Sequence, residues 1–241
     1  MITKNQIKLI KSLRLKKNRL QSGFFVAEGE KIVDELLESD LEIVNIFSIS
    51  EKYKNLKNHI SINSTQLKQI SNLKSPNNVL GIFKIPANKE IDYNANIVAL
   101  EEINDPGNLG TIIRLCDWFG IKYIICSENS VDCYNPKVVQ SSMGSISRVS
   151  ITYTKLDNLI SSISNKTVAA DLNGKSLKEY VFSKNQIIFF GNESKGFSQK
   201  LSSKIKSKIT IQRYNDNVES LNLASSVAIV LSELKNQIIG K

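Results

Sequence analysis

A rhythm in the second half of this chain restricts its fold more than any other feature. Between residues 97 and 212 six short apolar runs recur, "IVAL", "YIIC", "VSITY", "TVAAD", "IIFF" and "KITIQ", with helix-like segments between them. Most lack the apolar–polar alternation of a strand with one wet face, so both sides expect cover. Strands of this kind alternating with helices form a mostly parallel sheet, with helices on its two faces. The segments "LGTIIRLCDWFG", "PKVVQSSMGSI", "LDNLISSI", "SLKEYVF" and "SQKLSSKI" are predicted to be those helices. A last helix is predicted where Leu221, Ala224, Val227, Leu231, Leu234 and Ile238 recur at helical spacing, with Gly240 as its stop.

The first half is a smaller α/β pattern. "KNQIKLIKSL", "EKIVDELLES" and "NSTQLKQISNL" read as helices, the last capped by Asn63 or Ser64, and "GFFVAEG", "EIVNIFSI" and "NVLGIFKI" read as strands. The polar, aperiodic stretch "PANKEIDYNAN", residues 86–96, separates the two patterns. An amino-terminal domain over 1–88 and a carboxyl-terminal domain over 96–241 are expected.

Charge points to a polyanionic partner. The formal net charge is +9, and Lys8, Lys11, Arg14, Lys16, Lys17 and Arg19 fall within twelve residues. Such a segment suits RNA phosphates, with Arg14, Lys16, Lys17 and Arg19 as the candidate contacts. The chain has one histidine, His59, in "KNHISIN" with no acidic or serine motif around it. It reads as a surface residue, which argues against a Ser-His-Asp hydrolase and a histidine-ligated metal. Three cysteines, Cys116, Cys126 and Cys133, form no C-x-x-C pair, so a reducing, cytoplasmic setting and no metal site are expected. No run approaches the ~20 apolar residues of a membrane span, and no membrane partner is expected.

Ligands of a parallel sheet gather at the carboxyl ends of its strands. Three strand exits carry unusual polar content: "EEINDPGNLGTIIR" with Asn108 and Arg114, "GNESKG" with Gly191, Glu193 and Gly196, and "QRYNDNVESLNLASS" with Ser220 and Asn222. Each has a plainer reading. Asn108 would cap its helix and Arg114 would pair with Asp117; Glu193 would favour the next helix start; Ser220 and Asn222 would cap the last helix.

Taken together and in this order, Asn-(x)5-Arg, Gly-x-Glu-x-x-Gly and Ser-Leu-Asn before a long final helix resemble the SpoU (TrmH) family of RNA ribose 2′-O-methyltransferases, within the SPOUT superfamily. "RLKKNRLQSGFFVAEGEKIVDELL" is similar to that family's small, ribosomal-protein-like RNA-binding domain. The resemblance implies a parallel-sheet SPOUT domain with a deep trefoil knot, a homodimer, S-adenosylmethionine as methyl donor, a ribose hydroxyl of RNA as acceptor, and no metal. Ribosomal RNA is expected ahead of transfer RNA. It further implies that Gly191, Glu193, Gly196, Ile211 and Leu221 hold the cofactor, and that Arg114, Asn108, Glu193, Ser220 and Asn222 serve the reaction. A free guanidinium is a very weak base, so Arg114 is expected to stabilise developing oxygen charge. Two departures stand in the third motif: Gln212 where the family usually has proline, and "RYNDN" one residue longer than usual. Two other readings fit parts of the chain. A non-catalytic RNA-binding protein of this fold explains the basic segment and the glycines. An NAD-type enzyme would need a G-x-G-x-x-G that "NDPGNLG" does not supply.

Overall fold

The computed structural model describes residues 2–164 and 166–239; Gly240, the expected helix stop, lies outside the described residues. By compactness the chain forms two units, one of residues 1–87 with 132–148 and one of residues 88–131 with 149–241. Residues 132–148, within the carboxyl-terminal stretch expected over 96–241, group by compactness with the first unit.

That first unit runs α1 (Lys4–Ser12), α2 (Lys16–Ser22), β1 (Phe24–Glu28), α3 (Glu30–Leu37), β2 (Ile43–Ser48), β3 (His59–Ser61), α4 (Ser64–Ile70) and β4 (Val79–Lys84). Its sheet has the order β1-β4-β2-β3, antiparallel except for β2 with β3. Ile10 and Leu13 from α1 and Leu67 and Ile70 from α4 pack with Val26, Phe47, Leu80 and Ile82 of the strands. Asn63 caps α4, its side chain accepting from the Gln66 amide. The histidine is half-buried rather than a surface residue: His59 opens β3 and its Nε2 lies 2.9 Å from Ser48 Oγ.

The larger unit supplies β5 (Ile97–Leu100), α5 (Pro106–Trp118) and β6 (Tyr123–Ser127); α6 (Pro136–Ser142) falls in the first unit. Then follow β7 (Ser150–Thr154), α7 (Leu156–Ser162), β8 (Lys166–Ser176), β9 (Gln186–Phe190), α8 (Gln199–Ser202), β10 (Ser207–Thr210) and α9 (Leu223–Ile239). All six strands are parallel, in the order β10-β8-β9-β5-β6-β7. Ile97, Ala99, Ile125, Ala169, Ile187 and Phe189 pack with Leu156 and Leu159 of α7 and Leu201 of α8. Side chains alternate along a strand, so Val98, Leu100, Ile124, Cys126, Ile188 and Phe190, all buried, face the other way. The apolar stripes of α5 (Leu109, Ile112, Ile113, Cys116) and α9 (Val227, Val230, Leu231, Leu234), which pack together, are equally buried. Leu221 is not part of the α9 stripe; it precedes the helix and is 50% exposed.

"SLKEYVF" is not a helix. β8 continues to Ser176, and Leu177 N donates to Thr210 O (2.9 Å), so pairing with β10 takes the segment. Gly174 permits this approach: a Cβ there would run into the Ile209 backbone, beside the register shift between Lys208 and Ile209. Helix α6 also ends earlier than its sequence suggests, because Met143 and Gly144 take left-handed backbone.

Of the four expected RNA contacts, Arg19 is misassigned. It is 2% exposed, and its Nε donates to Asp132 Oδ2 (2.8 Å) while Nη2 reaches the same oxygen. Nη1 donates to the carbonyls of Leu13 (2.8 Å) and Arg14 (2.9 Å), closing the end of α1. A cation so enclosed cannot meet a phosphate. Arg14 is exposed but gives one donor to Ser71 O (2.9 Å), and Lys16 and Lys17 are exposed on α2. Removing one member of a buried pair strands the other, so Arg19→Ala should cost about 3–5 kcal/mol. Lys17→Ala should stay within about 0.5 kcal/mol of the unchanged protein. Urea denaturation distinguishes the two, and equal midpoints would refute the assignment of Arg19 to the core.

Candidate active site

Parallel pairing sets Leu100 beside Phe190, so the loops after β5 and β9 leave the sheet side by side, and Glu101 N donates to Phe190 O (2.9 Å). The loop after β10 leaves from the same edge, since β10, β8 and β9 all run parallel. Sequence separation between these loops is large, but strand order brings them together.

The first loop turns into α5 through Asp105, whose side chain accepts from Asn108 N (2.8 Å), and Pro106 starts the helix. Asp105 therefore takes the capping role that Asn108 would have filled. This frees the Asn108 amide. Its Nδ2 donates to Glu193 Oε1 (3.1 Å) in the second loop, and its Oδ1 accepts from Asn222 Nδ2 (3.0 Å) in the third. Asn222 serves two ends: Oδ1 caps α9 through the amides of Ala224 (2.9 Å) and Ser225 (3.3 Å), while Nδ2 holds Asn108. One residue from each motif is thus joined in a single hydrogen-bonded line. Glu193 Oε2 has no hydrogen bond among the described residues.

The second loop is a tight hairpin. Asn192 and Gly196 exchange backbone hydrogen bonds (2.9 and 3.0 Å), and Asn192 Oδ1 accepts from Ser194 N and Lys195 N. A Cβ on Gly191 would lie 2.6 Å from the Gly196 carbonyl carbon, so closure of this turn demands glycine. Gly196 has φ +65° with open space where a Cβ would point. Four residues that the motifs did not single out tie this loop to the first. Asn192 Nδ2 donates to Glu102 O (2.7 Å), and the Glu101 carboxylate accepts from Ser198 N (2.9 Å) and Ser198 Oγ (2.6 Å). Glu102 is left-handed, with φ +49°, and its amide donates to Ser127 Oγ (2.7 Å). The paired acids "EE" at a strand exit were the only sequence sign of them.

Arg114 lies on α5 six residues past Asn108, about 9 Å further along the axis. It is exposed, and among the described residues it makes no hydrogen bond or ion pair, so it is not bonded to the three-loop line. Ser220 is exposed and likewise outside that line. Ile211 is half-buried just past β10 and Leu221 half-exposed before α9, so each leaves apolar surface uncovered, and Gly196 has open space where a Cβ would point. Gln212 donates only weakly, to Arg213 O (3.5 Å). An adenine ring, apolar on its faces and polar at its edge, fits such surroundings, and a sulfonium needs no phosphate-binding lysine. The donors and shapes present therefore fit S-adenosylmethionine. Cys116, whose thiol burial pushes up, is enclosed in the core and offers no nucleophile.

Comparison with known proteins agrees with this geometry. The family described as "SpoU rRNA Methylase family" matches residues 95–232, and an "MRM3-like substrate binding domain" matches residues 4–81. The chain is 26% identical over 242 residues to the 23S rRNA (guanosine(2553)-2′-O)-methyltransferase RlmP of Bacillus subtilis, covering 96% of this chain and 97% of that one. A solved candidate RNA methyltransferase of the TrmH family from Porphyromonas gingivalis superposes with a TM-score of 0.89 at 32% identity, over 97% of this chain and 98% of that one. An S-adenosylmethionine-bound rRNA methyltransferase from Sinorhizobium meliloti superposes with a TM-score of 0.85 at 26% identity, over 99% and 97%. With its three motifs joined at one sheet edge and the family matched across most of its length, the chain belongs to the SpoU rRNA methylase family.

Proposed function

We infer that this protein is an S-adenosylmethionine-dependent RNA methyltransferase that methylates a ribose 2′-hydroxyl, and that its RNA is ribosomal. The observation that carries the reading is the Asn222–Asn108–Glu193 line, which assembles all three family motifs at the sheet edge. The relative matched along nearly the whole chain acts on 23S rRNA, which supports a ribosomal target over a transfer RNA.

When bound, S-adenosylmethionine supplies an electrophilic methyl group on a positively charged sulfur. Gly191 and Gly196 would shape the loop against it, and Ile211 and Leu221 would offer the adenine faces apolar cover. That methyl would pass to the ribose oxygen with the thioether as leaving group, and the hydroxyl proton would go to water. Glu193 Oε2 accepts from the incoming hydroxyl and orients it, while Asn108 and Asn222 fix that carboxylate. Arg114 brings a planar cation to the developing oxygen charge or to the adjoining phosphate. Ser220, exposed in the same loop, contributes a hydroxyl to the acceptor.

The remaining parts of the reading rest on smaller observations. A homodimer is supported by unburied apolar side chains on the paired helices, Trp118 at 81% exposure on α5 and Ile229 at 41% on α9. The trefoil knot goes with the family and with the return of the third loop to the edge where the first two leave. A cytoplasmic location is supported by three buried cysteines that form no disulfide. No metal enters the scheme, and among the described residues no group of His, Cys, Asp and Glu could hold one. Among the described residues no helix is long and apolar enough to cross a membrane.

Arg114→Ala should keep S-adenosylmethionine binding in calorimetry and lose methyl transfer by about 10²-fold or more. Arg114→Lys should not restore it, since a point charge cannot replace the planar fork. Full turnover in either variant would remove Arg114 from the reaction. The product offers a separate check: a 2′-O-methyl group blocks attack on the neighbouring phosphate, so the modified linkage should survive alkali, and cleavage there would place the methyl on a base. Neutralising Lys16 and Lys17 together should flatten the salt dependence of RNA binding, lowering the slope of log K by about 0.7–0.9 per lost phosphate contact. An unchanged slope would make α2 a solvated surface only.

A further inference from the structure

The larger unit carries a cationic stretch that the three motifs leave unused. Residues 166–208 hold nine lysines against three acidic residues, Asp171, Glu179 and Glu193, a net charge of +6. Three of these lysines are spent inside the unit: Lys200 on Asp157, Lys204 on the Asp157 carbonyl (2.7 Å) and Ser161 Oγ (2.9 Å), and Lys208 on Asp171 (2.8 Å). The other six are exposed, and their ammonium groups make no hydrogen bond or ion pair among the described residues. Strand register gathers three of the six. Lys166 opens β8 and pairs with Gln186, the first residue of β9, and Lys184 stands two residues before Gln186. Ser207 opens β10 beside Val168, so Lys206 is level with Thr167. Parallel strands in the order β10-β8-β9 thus bring Lys206, Lys166 and Lys184 to the amino-terminal end of the sheet. Two strand spacings, about 10 Å, separate the outer pair, close to the ~8 Å Debye length at physiological salt, so their fields overlap. The backbone beneath them is fixed. Buried Gln186 accepts from Ser183 N (3.1 Å) through Oε1, and its backbone N–H donates to Asn96 Oδ1 (3.0 Å), which closes the turn carrying Lys184. Ile205, next to Lys206, is buried.

Two plainer roles for surface lysines cover these positions incompletely. Lysines beside an edge strand discourage edge-to-edge pairing, but of the three only Lys206 adjoins the edge strand β10. Lysines also favour the negative end of a helix, an effect confined to its last turn. Lys166 and Lys206 lie four residues beyond the ends of α7 and α8, and Lys184 follows no helix. We propose that the amino-terminal end of β10, β8 and β9 is a second RNA surface, where Lys206, Lys166 and Lys184 contact phosphates remote from the acceptor ribose. This rests on the reaction proposed above. Strand β9 runs five residues, about 15 Å, from this end to the loop that holds Glu193, so phosphates bound here belong to another part of the RNA. Tyr180 and Phe182, the aromatic residues nearest Lys184 in the chain, pack on each other with ring centroids 5.0 Å apart, so this end offers charge rather than base stacking. Lysine, a point charge on a flexible stem, suits contacts that add affinity without reading sequence.

The test uses the full-length protein and total ribosomal RNA. One variant combines Lys166→Gln, Lys184→Gln and Lys206→Gln; a control of equal net charge combines Lys57→Gln, Lys68→Gln and Lys89→Gln, at exposed positions elsewhere. RNA affinity is measured across a salt series. The slope of log K against log salt should fall by about 0.7–0.9 per lost contact, roughly 2–3 in the first variant, and by less than one contact's worth in the control. Affinity for S-adenosylmethionine and methyl transfer at saturating RNA should match the unchanged protein. An unaltered slope in the first variant, or an equal fall in the control, would overturn the surface. Slower transfer at saturating RNA would also overturn it, by placing these lysines at the reacting centre. If the unchanged protein transferred no methyl to RNA, the proposed reaction would fail by itself. Binding and transfer with an unaltered slope would sink the second surface alone.

Discussion

Parallel pairing of β5 with β9 is the constraint on which the rest of the molecule turns. Its register, Leu100 against Phe190, puts two loops some ninety residues apart in sequence at one edge of the sheet, with β8 and β10 continuing the same direction. A parallel neighbour requires a crossover, and the crossovers put α7 and α8 against one face of the sheet, while α5, with the final helix α9 packed on it, joins β5 to β6. Polar backbone can then leave the sheet only at its ends. The carboxyl end accordingly collects Asn108, Glu193 and Asn222 without any of them lying near another in the chain.

Much of this was legible from apolar runs, because a strand buried on both faces leaves little freedom in its composition. Helix α5, helix α9 and the strand exits lay close to where periodicity put them. The errors share a cause: each depended on a partner distant in sequence. "SLKEYVF" has helical spacing, yet β10 draws the preceding residues into β8, and the absent side chain of Gly174 makes room.

Basic residues show the same limit. Lys16, Lys17 and Arg19 are equal in a charge count, and an arginine among lysines is ordinarily the better phosphate ligand. What removes Arg19 from that role is an aspartate 113 positions away and two carbonyls at the end of α1. Its five donors and planar fork, useful for phosphate, are equally suited to gathering several acceptors inside a fold. Composition thus identified an electropositive segment correctly, while the division of labour within it needed coordinates.

At the site itself, a local reading of Asn108 and Asn222 as helix caps was half right, and the division is instructive. Asn222 does cap α9, but with its oxygen alone, which leaves the amide nitrogen to reach Asn108. Asn108 is relieved of capping by Asp105 three residues earlier, and both ends of its amide go to the other loops. Half-exposed hydrogen bonds of this type are each worth only about 0.5–1.5 kcal/mol net, so the line adds little to global stability. Its value lies in direction. With one carboxylate oxygen held by Asn108, the other oxygen of Glu193 stays unbonded among the described residues, as the proposed orienting role requires, at little cost to folding. Water competes for such bonds in the open site, and seating RNA across the three loops would exclude that water and strengthen all of them at once. Order at the reacting centre is then greatest when an acceptor is present, which is the condition under which a methyl donor should be exposed to attack.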